Sequence, residues 1–230
     1  MSSTHLSAIT YYYRFKGEIN TEHVLRVAIE RAMDRGIKNI ILASETGRSA
    51  IKALHIARQI NANLRFIVVT HPPDKTWGPE GDIVIGLGHP KYRKIRECLE
   101  NAGVIIIQGT RPFASASRSL GWDKALPDAI IDKLLGGVFG QGIKIAIEVA
   151  LMATDAGAVS RGDVVVSLGG TYKGLDAAIV AKTTYSYYFL NEFEVLEIIA
   201  KPYEPRVSLP EYKDPTWRGD LKQYYRDFSC

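Results

Sequence analysis

Apolar positions along the chain follow two periods that take turns. Val24, Leu25, Ala28, Ile29 and Ala32 recur at helical spacing, with Asn20 placed to cap the helix and Gly36 to end it. Residues 39–44 then form a short apolar run, which predicts a buried strand. A second helical stripe over residues 47–60 carries Ile51, Leu54, Ile56 and Ala57 inward, and residues 64–70 read as the next strand. The alternation continues with a helix over 90–102, a third strand over 104–108, a helix within 123–135 and another over 142–156. A fourth strand follows at 163–168, a fifth at 177–183 and a sixth at 194–200. Strands separated by helices predict an α/β protein with a parallel sheet. Apolar residues are so dense over 142–156 that this helix is expected to be buried on more than one side. Prolines and glycines keep 71–88 irregular, with room for a short strand at 82–87.

Composition adjusts this picture little. The chain has 230 residues, 46% of them hydrophobic, enough for one large domain with its own core. We expect that domain to span residues 1–201. Residues 202–230 read as a C-terminal arm, with Pro202, Pro205, Pro210 and Pro215 set among Tyr203, Tyr212, Trp217, Tyr224 and Tyr225. Its rings are costly to expose, so it is expected to pack on the body or on a neighbouring subunit. No run is long enough to cross a bilayer, and the N-terminus lacks the layout of a secretory signal, so a cytoplasmic protein without a membrane partner is expected. The formal charge of +4 favours small anionic ligands but forms no stripe of the kind nucleic acid requires. Lys91, Arg93, Lys94 and Arg96 read as a solvated helix face. Cys98 and Cys230, and His5, His23, His55 and His89, have no metal-ligand spacing.

Candidate chemistry concentrates at strand ends. The first strand runs into S-E-T-G-R-S-A, residues 44–50, at the start of a helix. Helix N-termini present unpaired N–H groups and a positive dipole end. Ser44, Thr46 and Ser49 add hydroxyls, Gly47 gives room, and Arg48 adds a forked cation, so together they can cradle a phosphate. The same residue types also serve as ordinary helix caps. The fourth strand runs into G-G-T-Y-K-G. There Gly169 and Gly170 allow close backbone approach and Thr171 adds a donor, although a tight turn between strands would need the same glycines. This is no Walker loop, since Lys173 precedes Gly174 instead of following it. Lys144, in the first turn of the helix over 142–156, is placed to reach an anion, and Glu148 to anchor a neighbouring loop. Ser115, Ser117 and Arg118 offer donors in the loop over 109–121, where Phe113 and Trp122 could flank a planar ring. His71, directly after the second strand, is the candidate general acid or base.

The 44–50 segment resembles the phosphate-binding turn T-x-S-G-R-S-A in the C-terminal α/β domain of pyruvate kinase. Residues 140–170 and the following T-Y-K-G-L-D-A-A are similar to the small stand-alone archaeal proteins classed with that domain, and the likeness extends from about Tyr12 to Pro202. It implies a three-layer, doubly wound, mostly parallel sheet of order 3-2-1-4-5 with an antiparallel edge. The switch in winding then falls between the strands ending at Ser44 and Leu168, where such sheets bind ligands. The catalytic barrel of pyruvate kinase has no counterpart here, so the resemblance implies a binding domain without kinase activity. The stand-alone proteins are associated with FMN and with homo-oligomers, which makes FMN the expected cofactor. They tend to carry an acidic residue where Arg48 stands, a departure that keeps a sugar-phosphate-sensing regulatory subunit in view. A flavin-dependent oxidoreductase is the other alternative, because the flavin would bring its own redox chemistry.

Overall fold

The computed structural model describes residues 4–73, 76–77, 83–114, 119–121 and 126–206. Its main sheet has seven strands: β1 (Tyr11–Tyr13), β2 (Asn39–Ala43), β3 (Arg65–Thr70), β6 (Ile105–Gln108), β7 (Val164–Gly169), β8 (Ala177–Lys182) and β9 (Glu194–Pro202). Two short antiparallel strands, β4 (Thr76–Trp77) and β5 (Ile83–Val84), pair apart from it within the proline-rich segment. The helices are α1 (Thr21–Asp34), α2 (Arg48–Gln59), α3 (Arg93–Asn101), α4 (Pro127–Val138), α5 (Gln141–Asp155) and the short α6 (Phe189–Glu192).

The sheet order is β1-β9-β8-β7-β2-β3-β6. The five strands expected in the order 3-2-1-4-5 are β6, β3, β2, β7 and β8 read across the sheet. The order differs from that expectation in detail, because β9 and β1 extend the sheet beyond β8. Pairing is parallel except on the two sides of β8, which is antiparallel to both β7 and β9. β9 reaches Pro202, so regular structure crosses the boundary drawn at residue 201.

Alternation along the strands divides the core. Ile40, Leu42, Phe66, Val68, Val166 and Leu168 face α1, α2 and α3. Ile41, Ile67, Val69 and Val165 face α5 on the opposite side, which makes three layers. Being buried on both faces is what makes these strands nearly continuous apolar runs. α5 packs against the sheet while α4 and the turn at Pro112–Ala114 cover it from outside. Residues 142–144 and 146–154 of α5 are accordingly buried. On α3 the basic residues stay at the surface, with Arg96 2.8 Å from Glu100 one turn on. No helix among the described residues is long and apolar enough to cross a membrane.

Candidate functional site

Every helix that leads into or out of the parallel strands starts near their carboxyl ends, so that edge collects N–H groups and loops. β2 and β7 are in register with Leu42 opposite Leu168, so residues 43–44 and 169–170 leave the sheet side by side. The 44–49 turn and the 169–176 turn therefore share one end of the sheet, at the switch in winding.

α2 starts at Arg48, and Gly47 before it holds a left-handed φ of 84°. A Cβ on Gly47 would also overlap the Ile95 side chain and come within 3.3 Å of Leu87, so this glycine lets α2 close against α3. No side chain caps α2, and its first turn carries no acidic residue. Ser44 and Ser49 are buried and Thr46 partly so, yet none of their hydroxyls makes a hydrogen bond among the described residues. The serines and threonine of this turn are thus not its caps. The Arg48 guanidinium lies 2.9 Å from the Glu18 carboxylate. That pair ties α2 to the turn before α1 and balances the cation, leaving backbone N–H groups and hydroxyls as the donors for an anion.

The second turn is explained by packing. A Cβ on Gly169 would lie 2.5 Å from the Ala146 nitrogen and 2.8 Å from the Ile145 Cβ, so Gly169 seats β7 against α5. On Gly170 it would press on the backbone of Gly174 and Leu175, at 2.8 and 3.1 Å, which is the close approach of a tight turn. Asp176, near the end of that turn, accepts from the Gly17 N–H at 2.7 Å. Burial pushes its carboxyl above the ordinary range, while Thr171 and the Gly17 N–H pull it back down. Its other oxygen, Oδ1, would collide with any Cβ on Gly142 and has no hydrogen-bond partner among the described residues. Asp176 thus sets a carboxyl oxygen against the first turn of α5.

Lys144, expected to reach an anion, is 3% exposed and sits 2.7 Å from Asp132 on α4. Glu148 is fully buried and pairs with Arg111 at 3.2 Å, anchoring the segment that follows β6. Burial raises the Glu148 carboxyl above its usual range despite the opposing pull of Arg111 and Lys144. Among the described residues Glu148 Oε1 and Arg111 Nε have no hydrogen-bond partner. Ser115, Ser117, Arg118 and Trp122 lie outside the described residues.

His71 follows β3 and meets Glu45, the second residue of the 44–49 turn. His71 Nδ1 is 2.5 Å from Glu45 Oε1, and the His71 backbone N–H donates to Oε2 at 3.0 Å. Glu45, Glu18, Asp176 and Arg111 are the polar residues that sequence reasoning passed over. Glu45 stood inside the quoted motif, but its role depends on the pairing of Ala43 with Val69, which brings the two strand ends together.

Two concavities lie away from the 44–49 turn. One of about 280 Å³ opens between α2 and α3 at the opposite edge, lined by Leu54, Phe66 and Val104. The other, of about 600 Å³, is lined by Phe113, Ile131, Phe189 and Leu190. Among the described residues no group of three or more His, Cys, Asp and Glu is arranged to hold a metal ion. No protein-family model matches the chain.

Proposed function

We propose that this protein binds a phosphorylated small molecule, FMN foremost, with the phosphate at the 44–49 turn and without pyruvate kinase chemistry. The observation that carries the proposal is that, among the described residues, the hydroxyls of Ser44, Thr46 and Ser49 have no partner and no side chain caps the helix start beside them. None of these hydroxyls is among the polar atoms sealed from solvent, so all three are within reach of a ligand, and beside a helix N-terminus they suit the oxygens of a phosphate. The Glu18 partner of Arg48 makes the site less cationic than the motif suggests, which favours a single phosphate ester over a more highly charged ligand.

Titration of the purified protein with FMN and with riboflavin, followed by flavin fluorescence and calorimetry, tests this directly. FMN should bind more tightly by about tenfold or more, the worth of hydrogen bonds to a charged group. Equal affinity for the two, or no binding of FMN, refutes the phosphate site. Self-association belongs to the same proposal. Its support is an exposed apolar stripe on α4 formed by Ile130, Leu134 and Val138, and sedimentation at a monomer mass over the micromolar range would exclude it.

A further inference from the structure

The Glu45 carboxylate is gripped from several sides. Thr70 Oγ1 donates to Oε2 at 3.1 Å and the His71 N–H donates to the same oxygen at 3.0 Å, while His71 Nδ1 approaches Oε1 to 2.5 Å. The surrounding backbone is fixed as well. Gly86 N–H donates to the Glu45 carbonyl at 3.0 Å, and Leu87 N–H donates to Thr70 Oγ1 at 3.1 Å. A Cβ on Gly86 would stand 2.7 Å from the His71 carbonyl oxygen and 2.8 Å from that of Pro72, so the two segments interlock without slack.

An ionised carboxylate only accepts hydrogen bonds. The proton of a neutral His71 therefore sits on Nδ1, and the lone pair is left on Nε2. Among the described residues Nε2 has no hydrogen-bond partner, and it is not among the polar atoms sealed from solvent. A ring whose tautomer is set by a carboxylate on one nitrogen, with the other nitrogen open, is built to take up a proton.

We propose that Glu45 and His71 form an acid–base pair at the carboxyl tip of β3, independent of what occupies the 44–49 turn. His71 Nε2 is the proton acceptor for an O–H group, of water or of a ligand hydroxyl, and Glu45 is its positioning residue. In the step the O–H bond breaks, its electron pair stays on oxygen, and the proton joins the Nε2 lone pair. The imidazolium so formed is held against the Glu45 carboxylate, so the charge of the pair goes from −1 to 0. Return of that proton from Nε2 to the same oxygen restores the neutral ring and balances the step with no other reagent.

Two measurements on the full chain test the proposal without a ligand. Long-range ¹H–¹⁵N correlation of the histidine rings, with His71 assigned by its loss in His71→Gln, should show protonated Nδ1 and bare Nε2 at pH 8. Glu45→Gln should admit the opposite tautomer while the protein stays folded by circular dichroism. Diethyl pyrocarbonate, which attacks only an unprotonated and reachable ring nitrogen, should modify His71 at Nε2. Glu45→Gln should slow that modification by about threefold or more, because tautomers protonated at Nε2 do not react. A wild-type ring protonated on Nε2 overturns the proposal. So does a His71 that stays unmodified while the exposed His5 reacts, since a shielded Nε2 would make the pair a clasp.

Discussion

Ser49→Ala separates a cap from a ligand contact, because the two roles predict opposite signs on two readouts. Ser49 is the second residue of α2 and is 7% exposed, and its hydroxyl has no partner among the described residues. That hydroxyl is not among the polar atoms sealed from solvent, so removing it relieves no burial cost. Alanine is the better helix former, by up to about 0.7 kcal/mol. The ligand-free variant should therefore be at least as stable as the wild type, with a gain of up to about 0.7 kcal/mol. Phosphate binding should move the other way. Loss of one hydrogen bond to a charged group is worth about 1.5–3 kcal/mol, or roughly 10-fold to 150-fold in Kd for FMN. Urea unfolding and FMN titration on one preparation give both numbers. If Ser49→Ala loses stability and keeps its FMN affinity, Ser49 is a cap, and the argument from unpartnered hydroxyls fails.

Other expectations rest on separate contacts. Gly169→Ala should cost about 1–3 kcal/mol or more, since its Cβ would meet α5 backbone, whereas Gly137→Ala, in open space on α4, should gain up to about 1 kcal/mol in urea unfolding. Arg48→Met should destabilise by about 3–5 kcal/mol by stripping that partner from the largely buried Glu18 side chain, and adding Glu18→Gln should recover part of the loss; additive effects in the cycle would show that the pair is not coupled. Burial raises the Glu148 carboxyl in the folded state, so the folded form holds that proton more tightly than the unfolded form does. The stability this lends is complete below the unfolded carboxylate range and is lost as pH rises through the folded value. Glu148→Gln should hence gain stability relative to the wild type as pH rises through that range, and a flat or falling difference in unfolding free energy would contradict the sign.

What was legible in the sequence was whatever a local pattern encodes. The strands at Asn39–Ala43, Arg65–Thr70 and Val164–Gly169 announced themselves because burial on both faces leaves no polar alternation, and α5 because it is covered on nearly every side. β1 gave no such signal, being three tyrosines whose extended form is set by pairing with β9. The 44–49 turn was visible as hydroxyls and a glycine between strand and helix. Whether those hydroxyls were caps depended on geometry that no spacing reports. Gly169 and Gly170 show the converse limit: sequence marks where a side chain is not tolerated, but only the position of α5 and the fold of the turn explain why. Lys144 and Arg48 looked like free cations because their partners, Asp132 and Glu18, come from other elements.

The pairing of β1 with β9 bears on how the chain is made. Tyr11 lies opposite Ala200 in that parallel ladder, and the Tyr203 N–H donates to the Tyr13 carbonyl at 2.9 Å. On the ribosome the tyrosine strand emerges early and has no ladder to join until β9 follows, about 10–40 s later at ordinary elongation rates. β9 itself lines up against β8, so the edge must grow outward from β7 through β8 and β9 before β1 can add. The first strand synthesised is then the last to be stitched in, and the exposed apolar residues near it, Leu6 and Ile9, stay within reach of chaperones throughout that delay.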